Sequence, residues 1–170
     1  MGNFLSSLEN ISFFVWIRES TSIFAYPTVL FMHTVGMALV AGLNGAIDLR
    51  LLGFAPKTPV HPMRRIFPLM WIGFGINAVT GGILLIADAS TKLINPDFYV
   101  KMIFVFGGIA ILYRLQHKVF EEPTIDQAPL PNMAKALAFL SLVCWVGAIT
   151  AGRLLAYVGP VSGPPGLHNR

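Results

Sequence analysis

Charge is what this 170-residue chain has least of. Asp, Glu, Lys and Arg make up 12% of it, about half of the roughly 25% that a soluble domain carries. That shortage excludes a soluble enzyme and a disordered protein. A single cysteine, Cys144, cannot form an internal bridge and excludes a disulfide scaffold. No two His, Cys or carboxylate residues stand at zinc or di-iron spacing, no glycine-rich phosphate loop occurs, and no hydrolytic triad is identifiable. The net charge of +4 and a pI near 9.5 do not signal nucleic acid, because the bases form no cluster with interleaved aromatics. They sit between apolar runs. What the chain has instead is 55% hydrophobic residues and a mean hydropathy of +0.67. Its solvent is the lipid bilayer.

Four stretches are long enough for a hydrocarbon core of about 30 Å, which takes roughly 20 apolar residues. Ile23 to Ile47 holds no Asp, Glu, Lys or Arg, and Ile66 to Ala87 is likewise uncharged. Phe98 to Leu115 carries Lys101 and Arg114 near its ends, and Ala134 to Tyr157 carries Lys135 and Arg153 near its own. The fold class expected is all-α: one four-helix transmembrane bundle over residues 20–158. Ahead of it, residues 1–19 place Phe4, Leu8, Ile11 and Val15 at helical spacing among polar residues, the pattern of an amphipathic helix lying in the interface. Residues 159–170, rich in Gly and Pro, read as a flexible tail.

The connections carry the topology signal. Asp48 to Arg65 and the segment from Lys118 to Asn132 share one face, with seven bases: Arg50, Lys57, Arg64, Arg65, Arg114, Lys118 and Lys135. The other face has five, namely Arg18, Lys92, Lys101, Arg153 and Arg170. The positive-inside rule then puts both long loops in the cytoplasm and both termini outside, in the periplasm.

His33 is the most informative residue. It stands ten positions into the first run, about 15 Å deep at 1.5 Å per residue, where an ionisable group is costly and by default functional. Two readings are open. In one it is an axial ligand of haem iron, with Gly36 leaving room beside it and Lys101 or Arg153 meeting the propionates. In the other it is a neutral histidine hydrogen-bonded across the bundle to Asn77 or Thr80. Pro27 predicts a kink near the start of the span. Ala38, Gly42 and Ala46 repeat at four-residue spacing, as do Gly73, Asn77 and Gly81, and Ala148 with Gly152. Such stripes are packing seams and are expected to face the bundle interior. Arg153 has a simpler role open to it, a pair with Asp88. His117 is too far along the third run to share a cofactor with His33; it is either a second haem site on the opposite face or a cation suited to a helix C-terminus.

The strings FAYPTVLFMHTVGMALVAGLNGAIDLRLLG, PLMWIGFGINAVTGGILLIADAS, NPDFYVKMIFVFGGIAILYRLQHKVF and LSLVCWVGAITAGRLLAYVG resemble a family of bacterial four-helix inner-membrane proteins catalogued as a domain of unknown function. That resemblance implies the fold and a bacterial inner-membrane location. A first-span histidine followed by a glycine turn and an arginine, with a third span opening on a lysine, is also similar to the haem-carrying, membrane-bound protoporphyrinogen oxidases. There the matching residues, here His33 and Lys101, are implicated in haem binding. The loop before the second span departs from that family, so the similarity implies a b-type haem site and not the porphyrinogen reaction. The expected function is haem b binding with membrane electron transfer, to or from quinone or a partner oxidoreductase. The alternative is a non-catalytic membrane subunit or small-solute carrier without a cofactor.

Overall fold

The computed structural model describes residues 9–122, 125–126 and 129–157. The start of the expected amphipathic segment and the tail 159–170, with His168 and Arg170, lie outside the described residues. Among the described residues these helices follow one another: α1 (Ser12–Glu19), α2 (Tyr26–Leu51), α3 (Phe67–Ile86), the single turn α4 (Ala89–Lys92), α5 (Pro96–Lys118) and α6 (Asn132–Tyr157). Four helices are long and apolar enough to cross a membrane. A short 3-10 segment, His61–Ile66, leads into α3. The protein is an all-α four-helix bundle, as expected.

Around the bundle α3 packs on the first half of α2, the second half of α2 packs on α6, and α6 runs along α5. One end, called here the loop face, is tightly filled. Val40, Ile47, Leu51, Phe67, Met70, Leu112, Leu115 and Phe120 form one buried cluster there. α3 and α5 are tied across it by Trp71 Nε1 donating to Gln116 Oε1 at 2.8 Å, and just past the end of α5 the rings of Phe120 and Phe67 meet edge to face. The other end, the terminal face, holds an open cavity. Apolar side chains such as Ile72, Val79, Ile103, Phe106, Phe139 and Val146 point outward, as lipid contact requires.

Three expectations about the first span need correction. Pro27 does not kink the helix: it falls in the first turn of α2, where its missing N–H breaks no hydrogen bond. Asp48 is not the start of a loop, because α2 runs on to Leu51 and closes at Gly53. There φ is +105°, and the amides of Gly53 and Phe54 return to Arg50 O and Leu49 O, a glycine-dependent helix stop. Finally, Ala38, Gly42 and Ala46 are exposed, and nothing stands within 4 Å of a Cβ built on Gly42. The buried line is Gly36, Val40, Asn44, Asp48 and Leu51. Two residues along a helix are 200° apart around it, so a seam through Gly36 turns Ala38 to the lipid. A π-helical turn at Ala38–Gly42 sits where the packing partner of α2 changes from α3 to α6.

The seam at Gly36 is very close. A Cβ there would lie 2.7 Å from Asn77 N and 2.8 Å from Gly73 O, and one on Gly73 would lie 2.6 Å from Leu39 Cβ. The stripe Gly73, Asn77, Gly81 therefore does face inward, and Ala148 on α6 is fully buried.

On the loop face, Asp126 accepts from Val60 N at 2.7 Å and from His61 N at 3.0 Å, capping the turn that starts α3. The Val60 amide is the main reason its carboxyl is held below the usual carboxylate range, with the His61 amide and the charges of His61 and Arg50 adding to it. A depressed acid stabilises above its unfolded pKa and loses that contribution as pH falls through the folded one. Asp126→Ala should lower the melting temperature by a few degrees at pH 7, and the difference from wild type should vanish at strongly acid pH. Thermal unfolding of both proteins across that range checks it.

Candidate functional site

A cavity of about 580 Å³ opens on the terminal face, within the size range of small-molecule sites. All four long helices contribute to its wall, and Arg18 and Glu19 of α1 reach its rim. His33, Gly81, Asp88, Lys92, Lys101 and Gly152 carry its chemistry. A shallower depression of about 370 Å³ on the loop face is bordered by His61, Pro62, Arg64 and Arg65. It is formed by one short turn rather than by the bundle.

His33 is half-buried and held from one side only. Its Nδ1 lies 3.1 Å from Asn77 O and 3.2 Å from Thr80 Oγ1. A backbone carbonyl only accepts, so Nδ1 carries a proton and donates. In the neutral ring Nε2 then keeps its lone pair. No hydrogen bond to Nε2 occurs among the described residues. The pair is reciprocal, since Asn77 Nδ2 donates to His33 O at 2.9 Å, while Thr80 anchors itself by donating to Ile76 O at 2.6 Å. The expected partners Asn77 and Thr80 are thus both engaged, and through the same ring nitrogen.

Depth and room differ from expectation. α2 begins at Tyr26 rather than Ile23, so His33 is about 10 Å into the span, shallower than midplane. Gly36 makes no room for a ligand: it is buried against the backbone of α3. The residue that makes room is Gly81, where a Cβ would stand 3.0 Å from His33 Cε1 and 3.4 Å from its Nδ1. Asn77, Thr80 and Gly81, at i, i+3 and i+4, form one helix face. The polar side chains of Asn77 and Thr80 in an uncharged run were the sequence signal for it.

Of the two candidate cations, Lys101 belongs to the cavity and Arg153 does not. The Lys101 stem crosses Gly152, with Cε 3.6 Å and Nζ 3.8 Å from the position of a Cβ there. Arg153 is exposed, a further 100° around α6. Nor does Arg153 pair with Asp88, whose carboxylate lies 3.6 Å from Lys92 Nζ. Lys101 has no ion pair among the described residues. Arg18 is a rim cation that sequence reasoning missed; it reaches Ala87 O at 3.4 Å and pairs with Glu19 at 2.9 Å. Its place follows from α1, which buries Ile17, leaves Phe13 and Trp16 exposed and docks beside α4, where Glu9 accepts from the Ser90 amide.

His117 stands apart from this site. It ends α5 on the loop face, is exposed, bonds Glu121 Oε1 through Nδ1 at 2.9 Å and packs on the Tyr113 ring. Among the described residues no group of three His, Cys, Asp or Glu side chains could hold a bare metal ion. The arrangement offers one oriented imidazole nitrogen, one unpaired ammonium and an apolar wall between them. Neither protein-family models, curated proteins nor solved structures give any match to this chain, so the chain's own geometry carries the functional reading.

Proposed function

We propose that the terminal-face cavity binds a b-type haem, with His33 Nε2 as its axial ligand, and that the protein takes part in membrane electron transfer. The observation that carries the reading is the hydrogen bond from His33 Nδ1–H to Asn77 O. Histidines that ligate metals characteristically donate their other ring N–H to a carbonyl or carboxylate, which fixes the tautomer and aims the free nitrogen. The donor set suits the group. His33 offers one nitrogen, Gly81 leaves the ring unobstructed, and Lys101 is a half-buried cation with no ion pair among the described residues, suited to a propionate. Haem so bound would supply one-electron chemistry, tuned by this axial ligand and by the burial of the site. The chain's own tasks are to orient the imidazole through Asn77 and Thr80, to bind the carboxylate through Lys101, and to exclude bulk water with the walls of the bundle. The similarity of His33 and Lys101 to the haem-binding positions of the membrane-bound protoporphyrinogen oxidases supports the same assignment.

The excess of bases on the loop face supports a cytoplasmic loop face and a cavity opening toward the periplasm of a bacterial inner membrane. Quinone or a partner oxidoreductase would then meet the protein at the cavity mouth or along the lipid face.

Protein purified in detergent from cells supplied with haem should show a Soret band at about one haem per chain. A well-folded but colourless protein would replace this reading with that of a non-catalytic subunit or small-solute carrier, in which His33 serves only its contacts to Asn77 and Thr80. A band that survives His33→Ala and is lost in His117→Ala would move the site to the loop face.

A further inference from the structure

A second polar cluster lies in the other half of the bundle, where nothing in the haem reading uses it. Asn44 and Asp48 on α2 and Ser141 on α6 are all 0% exposed. Asn44 Nδ2 donates to Asp48 Oδ2 and to Ser141 Oγ, each at 2.6 Å. Asn44 Oδ1 and Asp48 Oδ1 have no hydrogen-bond partner among the described residues. Two buried acceptor oxygens are therefore left without a hydrogen bond, and the only donor beside the Asp48 carboxyl among the described residues, besides Asn44, is the neutral hydroxyl of Ser141.

Charge balance sharpens the point. The bases nearest in sequence are turned elsewhere: Arg50 donates to the carbonyls of Thr58 and Pro56 in the loop, and Lys135 on α6 is exposed. The polar group that α6 brings to this cluster is the hydroxyl of Ser141, which is not positive. No salt bridge to Asp48 exists among the described residues. A bare carboxylate enclosed in a membrane bundle without a counter-charge is strongly disfavoured, and ionisable residues in that position mark ion or proton sites.

We infer that Asp48 is a proton-binding site of the bundle interior near its loop face, carrying its proton on Oδ1 in the resting protein. The proton turns one orphan acceptor into a donor and removes the charge at the same time. It comes from water and returns to water, leaving the carboxylate. A monovalent cation fits less well. Both N–H groups of Asn44 already point at two of the four side-chain oxygens present, and hard cations want about six oxygen ligands. Asp48 is about 22 Å along α2 from His33 at 1.5 Å per residue, so the site is separate from the haem cavity and does not depend on it.

Infrared spectroscopy of the full chain in lipid, at neutral pH, tests the inference. Wild type should show the C=O stretch of a protonated carboxyl, shifted in D₂O and shifted again by ¹³C-aspartate labelling. Asp48→Asn should lose the band and, because the amide is isosteric with the neutral acid, keep its melting temperature. Asp88→Asn should keep the band. Absence of the band in wild type would overturn the inference, as would its persistence in Asp48→Asn. A band or melting temperature that responds to Na⁺ at constant ionic strength would replace the proton with a cation. Should Asp48→Asn fail to fold, the labelled wild-type spectrum with Asp88→Asn still decides.

Discussion

Gly36→Leu should destroy the bundle, while Gly42→Leu on the same helix should leave it standing. The two sites look alike in sequence and are opposite in space. At Gly36 even a Cβ would meet Asn77 N at 2.7 Å and Gly73 O at 2.8 Å. These are backbone atoms of α3, which cannot step aside as a flexible side chain would. Overpacking costs about 1–3 kcal/mol where side chains can adjust, and here two helices must separate. Parting them also strains the bond from Asn77 Nδ2 to His33 O. The expected loss exceeds the upper end of that range, a fall in melting temperature of about 10 °C or more, with aggregation in detergent as the visible outcome. At Gly42 nothing stands within 4 Å, and a leucine there adds apolar surface facing lipid. Its melting temperature should match wild type. Equal destabilisation by the two substitutions, read by thermal unfolding in the same detergent, would mean that the face of α2 is assigned wrongly.

The contrast between these glycines also marks where sequence reading stops. The four spans are legible because the bilayer leaves a chain few options: backbone groups must pair within helices, and some 20 apolar residues must cover them. Orientation of a helix about its own axis is a different matter. Four-residue spacing of small side chains says that a seam is possible, and it marks the Ala38, Gly42, Ala46 stripe, whereas Gly36 stands four residues from Met32 and Val40 and carries no such signal. Only the partner helix decides between them. Gly73 on α3 approaches the Gly36 side, and the seam follows. The buried pair Asn44 and Asp48 escaped sequence reading for a related reason. Asp48 stands next to Arg50 and a proline-rich loop, so it reads as the end of the span. Its burial comes from α6, whose Ser141 meets Asn44 from far along the chain.

The site itself was half legible. His33 stood out because a lone imidazole in an uncharged span needs a reason, and Asn77 and Thr80 were the polar groups able to meet it. Lys101 and Arg153 were indistinguishable by position, since both sit near span ends on one face. The 100° between adjacent residues of α6 separates them: Gly152 faces the cavity and admits the Lys101 stem, and Arg153 points away. Gly81 shows the same limit from the other side. Its value lies in the space it leaves beside the ring, which no single-helix pattern displays.

Removing the imidazole should have the second large effect. His33→Gly deletes the one imidazole that lines the cavity among the described residues while keeping the Gly36 and Gly73 contact that holds α2 on α3. It leaves Asn77 and Thr80 without their partner and costs roughly 0.5 kcal/mol of helix propensity, so the protein should fold with a modestly lower melting temperature. It should retain little haem. The space left beside Gly81 is about that of the lost ring, which allows free imidazole to enter and take the vacated position. The decisive measurement is the absorption spectrum of haem-supplemented His33→Gly, recorded with and without added imidazole beside wild type. Ligation by His33 predicts a Soret band in wild type, its loss in His33→Gly, and its return with imidazole. A band of wild-type position and height in His33→Gly without imidazole would contradict it.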